Sequence, residues 1–107
     1  MATRAIVTMP RSARRGELIA IRTLLAHPMH SGFQVDAEGR TVARDIVRRF
    51  ECRYDGELVF GAELHPAMSA NPFIAFNTLA TTSATLVFRW TGDNGFVHSE
   101  SVAISVI

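Results

Sequence analysis

The stretch DIVRRFECRYDGELVFGAELH, residues 45–65, decides the fold. Ile46, Phe50, Cys52 and Tyr54 share one period-two register, interrupted at Arg48, while Arg49, Glu51 and Arg53 fall in the other. Such alternation is what a half-buried antiparallel strand requires, with one face on a core and one in water. Asp55-Gly56 then supplies a tight hairpin turn, because both central positions of that turn need residues that tolerate positive φ. ELVFGAELH returns as the partner strand and stops at Pro66, which has no N–H to give a ladder.

Working outward, FIAFNTLA (73–80) and ATLVFRWT (84–91) form two further strands across the short polar turn Thr81-Thr82-Ser83, with Leu86, Phe88 and Trp90 on one face. GDNG (92–95) makes the next turn, and FVHSESVAISVI closes the chain as a strand. On the N-terminal side, AIVT (5–8) is a short strand followed by a turn at Pro10, Ser12 and Gly16. ELIAIRTLLAH (17–27) sets Ile19, Ile21, Thr23 and Leu25 toward the core and Leu18, Ala20, Arg22 and Leu24 on the opposite face. Residues 28–44 lack a clear period and form either a long loop or a loose hairpin around DAEG. About seven short strands with regularly spaced turns and no amphipathic helix predict an all-β, immunoglobulin-like antiparallel sandwich.

At 107 residues the chain is expected to form one domain, 1–107. Apolar residues make up 48% of it, including seven Phe and one Trp, so a core can form without metal or disulfide staples. A formal net charge of +1 provides no field to recruit nucleic acid or an anionic membrane. The basic residues are all Arg, clustered at 11, 14 and 15 and at 44, 48 and 49 among acidic neighbours, as solvated faces would be. The N-terminal stretch has too short an apolar run for a signal peptide, and no run reaches the roughly 18 apolar residues of a membrane span. A single cysteine excludes an intrachain disulfide and leaves the compartment open.

The residues able to do chemistry are few. Cys52 with His27, His30, His65, His98 and the methionines raises a copper site, but such sites cluster Cys, His and Met closely, and here His98 alone lies beyond residue 65. Cys52, in register with Phe50 and Tyr54, is expected to be a buried structural thiol. His27 and His30 stand three apart around Pro28, with no third ligand in sequence, so no metal is expected. Ser69 with His65 lacks the sharp turn that displays a nucleophile. Glu51, Asp55, Glu57 and Glu63 alternate with basic or apolar neighbours, as solvent-side charges do. No catalytic, cofactor-binding or metal-binding residue is therefore expected, and a binding or assembly module is favoured over an enzyme.

One connection stands out. ELHPAMSANPFIAF (63–76) places Pro66 and Pro72 around Ser69 and Asn71, and so few soft dihedrals lose little entropy on being held. That suits a docking loop built from His65, Pro66, Ser69, Asn71 and Pro72. It equally suits a crossover between sheets that packs Phe73 and Phe76 into the core.

HPAMSANPFIAF, FECRYDGELVF, HPMHSGFQVDAEGR and FRWTGDNG, taken in order from Gly16 onward, resemble the SoxZ family of bacterial sulfur oxidation. The chain departs from the family pattern at His30, at Gln34-Val35, and at Gly92, Asp93 and Asn94 after the Trp, where a run of Asp is common. The resemblance implies a non-catalytic scaffold that forms a heterodimer with SoxY and orients the mobile Gly-Gly-Cys-Gly-Gly arm on which SoxY carries sulfur. It further implies transient contact with other Sox pathway enzymes and a periplasmic location reached by co-export with a signal-bearing SoxY; if the heterodimer is obligate, the isolated chain is expected to expose an apolar face and self-associate. The rival is an unrelated β-sandwich adhesion or assembly module; a genomic neighbour encoding a Gly-Gly-Cys-Gly-Gly terminus separates the two.

Overall fold

A computed structural model describes residues 4–107; the first three residues of the expected 1–107 domain lie outside the described residues. The strands are β1 Ala5–Thr8, β2 Ser12–Ala13, β3 Leu18–Leu25, β4 Val47–Tyr54, β5 Glu57–Glu63, β6 Phe73–Leu79, β7 Ala84–Gly92 and β8 Val97–Val106. They form a three-stranded sheet in the order β1-β3-β6 and a five-stranded sheet in the order β2-β8-β7-β4-β5. The sandwich expected from the sequence is present. Its unforeseen member is β2, two residues that pair in parallel with Ser105 and Val106 after the chain leaves the first sheet past Pro10. A two-residue strand is too short to show a period.

The 45–65 hairpin explains its own irregularity. Asp55 (φ 52°) and Gly56 (φ 80°) both take the left-handed conformation that joins β4 to β5. The β4–β7 register shifts between Val47 and Arg49, and this bulge turns Arg48 out to solvent. Val47 and Phe50 consequently both face the core, which is why the alternation breaks at Arg48.

The two sheets are joined by aromatic side chains. Phe50 lies with its ring centroid 5.1 Å from Trp90, 6.0 Å from Phe76 and 6.1 Å from Phe60, and Phe60 stacks on Phe76 at 4.3 Å. Phe76, on the three-stranded sheet, thus inserts among the aromatics of the other sheet. Phe73 does not join it. It stands three residues earlier and therefore on the other side of the pleat, exposed to solvent. Tyr54 extends from the end of β4 to the β6–β7 turn, where its hydroxyl donates to the Thr82 carbonyl and accepts the N–H groups of Thr81 and Thr82.

Residues 28–44 form the loose hairpin rather than an open loop. Isolated bridges pair His30 with Asp45 and Val35 with Thr41, and Asp36 Oδ1 accepts the N–H groups of Glu38 (3.0 Å) and Arg40 (2.9 Å) at the tip.

The outward faces of the two sheets differ in charge. On the five-stranded sheet Arg49 pairs with Glu51 (2.7 Å) and Glu63 (2.9 Å), and Arg53 also reaches Glu51 (3.2 Å). Those contacts hold Glu51 below the usual carboxylate range. Beside them stand the exposed Arg89, Ser99 and Ser101, with the exposed Val87 and Val97 among them. On the three-stranded sheet the outward positions are Ile6, Leu18, Ala20, Leu24, Phe73, Ala75 and Leu79, interrupted by Thr8, Arg22 and Asn77.

Candidate partner-docking site

The loop between β5 and β6 is held at both ends. Leu64 is buried and its N–H donates to the Arg48 carbonyl at 2.9 Å. At the far end, the N–H of Asn71 donates to the His27 carbonyl (2.7 Å) and its side-chain Oδ1 accepts the His27 N–H (3.0 Å). Pro72 is buried, and its carbonyl accepts the Leu25 N–H at 3.1 Å, extending the β3–β6 ladder by one rung. Asn71 has φ 55°, a conformation that Asn tolerates better than other residues with a Cβ.

The five loop residues read from the sequence therefore separate into two groups. His65, Ser69 and Asn71 are exposed, Pro66 is half-buried and Pro72 is buried, and of the five it is Asn71 and Pro72 whose bonds to His27 and Leu25 anchor the loop. The exposed end borders a depression of about 480 Å³ lined by Ser31, Phe33, His65, Pro66 and Ala67. Phe33, 87% exposed at this rim, was not singled out from the sequence. Its signal was a lone aromatic in a polar hairpin.

The HPMH segment performs a structural task. His27 is buried with its ring edge-on to Phe96 at 4.9 Å, its Nδ1 accepts the Met29 N–H (3.0 Å), and its Nε2 lies 3.8 Å from Asp45 Oδ1. Met29, itself buried, accepts the Val47 N–H on its sulfur at 3.2 Å. His30 meets Gln34 at 3.2 Å through its Nδ1. His65 lies beyond the end of β5. His98 is partly exposed beside Trp90, with its Nε2 2.8 Å from Glu100. Among the described residues no group of three or more His, Cys, Asp or Glu comes together.

Burial lowers the pKa of His27 and outweighs the opposing pull of Asp45. A base whose folded pKa is depressed contributes stability above its unfolded value of about 6.5 and loses it as the pH falls through that value toward the folded one. Protonation would also convert the Nδ1 acceptor into a donor facing the Met29 N–H. The thermal midpoint is expected to fall between pH 7 and pH 5, with a flatter slope in His27→Asn. A midpoint that stays level or rises over that interval would contradict the assignment. Asp93, held below the usual carboxylate range by its hydrogen bond to Arg44, belongs to a separate window below about pH 4.

Asp93 organises the neighbouring corner. Its carboxylate receives Arg44 at 2.8 and 2.9 Å and the Ile46 N–H at 3.2 Å, while its own N–H donates to the Ile46 carbonyl at 2.9 Å. The preceding Gly92 lies so close to this strand that an added Cβ would stand 2.4 Å from the Ile46 carbonyl oxygen.

Cys52 lies at 0% exposure between Phe50 and Tyr54, and burial pushes its thiol up to about 12.

The family model for the sulphur oxidation protein SoxZ matches residues 7–103. The chain belongs to the SoxZ family. SoxZ membership connects this sandwich to the Sox system of sulfur oxidation. Among solved structures, the sulfur carrier protein SoxY from Chlorobium limicola f thiosulfatophilum superposes with a TM-score of 0.67 at 12% identity, covering 96% of this SoxZ chain and 78% of SoxY. A superoxide reductase (neelaredoxin) from Ignicoccus hospitalis gives 0.71 at 14% identity, covering 96% and 80%. A putative superoxide reductase from Thermotoga maritima also gives 0.71 at 14%, covering 96% and 85%. At such identities the likeness is one of fold. No curated protein sequence matches the chain.

Proposed function

We propose that this chain is the non-catalytic half of a heterodimeric sulfur-carrier complex, paired with SoxY and serving as the rigid base that orients the SoxY cysteine arm. Cys52 carries this reading. A covalent sulfur carrier needs an accessible thiolate, yet a buried thiol with a pKa of about 12 is ionised to roughly one part in 10⁵ at neutral pH. The sulfur cargo therefore belongs on another chain, and the scaffold's contribution is position. A base of low flexibility lets a swinging arm meet successive enzymes with little entropy lost on each encounter.

The outward part of the docking loop, His65, Pro66 and Ser69 beside Phe33, fits the transient contact with those enzymes, while Asn71 and Pro72 hold it in shape. The complex needs no cofactor on this chain, nucleic acid or membrane. Its proposed location is the periplasm, reached as a folded pair with SoxY.

Intact-mass measurement tests the division of labour. In a reconstituted system turning over thiosulfate, sulfur adducts are expected on SoxY and absent from this chain. Cys52→Ala is expected to retain nearly full turnover, at a stability loss of about 1–2 kcal/mol for a small buried group. A sulfur adduct on Cys52, or loss of turnover in a folded Cys52→Ala variant, would overturn the proposal.

A further inference from the structure

The chain has three asparagines, and the residues that follow them differ. Asn71 precedes Pro72, whose nitrogen carries no hydrogen, and Asn77 precedes the β-branched Thr78 inside β6. Asn94 precedes Gly95 at the tip of the β7–β8 hairpin. Both take positive φ, 59° at Asn94 and 72° at Gly95, as the central residues of a type I′ turn must. Both are exposed, and a Cβ added to Gly95 would meet nothing within 4 Å, so the approach to this peptide bond is open.

We propose that Asn94 is a spontaneous deamidation site, at which the backbone nitrogen of Gly95 displaces the side-chain amide and leaves a carboxylate where a donor to Asp45 had been. The Gly95 nitrogen attacks Asn94 Cγ: a C–N bond forms, the Cγ–Nδ2 bond breaks, and the Gly95 proton departs with Nδ2 as ammonia. Water, the only co-reactant, then opens the succinimide ring at one carbonyl or the other. One opening gives aspartate; the other gives isoaspartate, whose backbone is longer by a carbon. Glycine suits the attack because it has no side chain to crowd its nitrogen and has the backbone freedom to bring it round. Asp55-Gly56, the other tight turn, carries a carboxylate and has no ammonia to lose. The Asn94 turn is closed by the Phe96 N–H donating to the Asp93 carbonyl (3.1 Å) and the Gly92 N–H to the Phe96 carbonyl (3.0 Å), so it opens locally at far less cost than unfolding.

The new charge lands beside a corner that holds two segments together. Asn94 Nδ2 donates to Asp45 Oδ1 at 3.4 Å, and the same oxygen lies 3.8 Å from Nε2 of the buried His27. Asp45 also closes the base of the 28–44 hairpin through paired backbone bonds with His30 at 2.8 and 2.9 Å. After deamidation two carboxylates face each other where a donor met an acceptor, and the neighbouring Arg44 is already engaged by both oxygens of Asp93. The repulsion pushes on Asp45 and loosens the base of the hairpin that carries Phe33 to the rim of its depression.

Incubation of the folded full chain at neutral pH in heavy-oxygen water, followed by digestion and mass spectrometry, reads the reaction at each asparagine. Asn94 is expected to take up solvent oxygen as aspartate and isoaspartate, at a rate within about tenfold of that in urea, while Asn71 and Asn77 stay intact. An intact Asn94 in the folded chain, over a time that converts it in urea, would show that the turn protects it and overturns the site. Conversion of Asn77 as fast as Asn94 overturns the part given to Gly95. Asn94→Asp and Asn94→Gly separate the added charge from the lost donor. The first is expected to lower the thermal midpoint by about 2–5 °C and to speed amide exchange at His30 and Asp45, and the second to have less than about half of either effect. A midpoint and exchange rates in Asn94→Asp equal to those of wild type overturn the effect on the hairpin.

Discussion

Replacing Gly92 with aspartate is expected to lower the stability of the isolated chain by about 3 kcal/mol or more. The reason is space rather than conformation, because Gly92 is extended at φ −161°, a backbone any residue adopts. An added Cβ would stand 2.4 Å from the Ile46 carbonyl oxygen and 2.9 Å from the Val47 Cα, both backbone atoms that cannot swing aside. Ile46 and Val47 are themselves buried, at 2% and 0% exposure, so their backbone can move only by disturbing the core. Movement would also strain the paired hydrogen bonds between Asp93 and Ile46. Aspartate at this position would add a carboxylate beside that of Asp93. Urea denaturation of Gly92→Asp and Gly92→Ala checks the cause. Both should be destabilised, and an alanine variant within about 0.5 kcal/mol of wild type would show that the strand yields.

The second large effect concerns Asn71. Asn71→Ala is expected to lower stability by about 2–3 kcal/mol while Ser69→Arg, two residues away, changes it by less than about 0.5 kcal/mol. Two physical contributions add at Asn71. Removing Oδ1 strands the N–H of His27, a residue only 6% exposed, and alanine at φ 55° meets the left-handed penalty of about 1 kcal/mol. Asn71→Gly separates them, because glycine relieves the backbone penalty and leaves the His27 N–H unpaired. Ser69→Arg should instead weaken complex formation or turnover, since its side chain points to solvent at the docking loop. An Asn71→Ala variant as stable as wild type would remove the anchor from the loop's description. Stability loss in Ser69→Arg with unaltered binding and turnover would return the loop to a crossover.

The alternation within each strand was legible because burial is decided locally, one residue in and the next out. Ile19, Ile21, Thr23 and Leu25, then Leu86, Phe88 and Trp90, all face the core as their spacing requires. The Asp55-Gly56 turn was legible for the same reason. Phe73 was misplaced when grouped with Phe76 as a core residue, since three residues along a strand reverse the face. Asn71 is exposed, as a polar loop residue should be, but its anchoring bond was hidden because its partner, His27, lies 44 positions away in sequence. The sequence placed Leu18, Ala20, Arg22 and Leu24 on one face of a strand, but an apolar sheet surface appears only when the registers set Ile6 and Phe73 on either side of Leu24. Gly92 was visible as a departure from the family pattern; its close approach to Ile46 depends on two strands meeting at a bulge.

The most direct test of the account is co-expression of the chain with its cognate SoxY, followed by purification through a tag on one partner and sedimentation at micromolar concentration. The account predicts a single 1:1 heterodimer, with the sulfur-carrying cysteine contributed by SoxY. Separate sedimentation of the two chains at that concentration would contradict it.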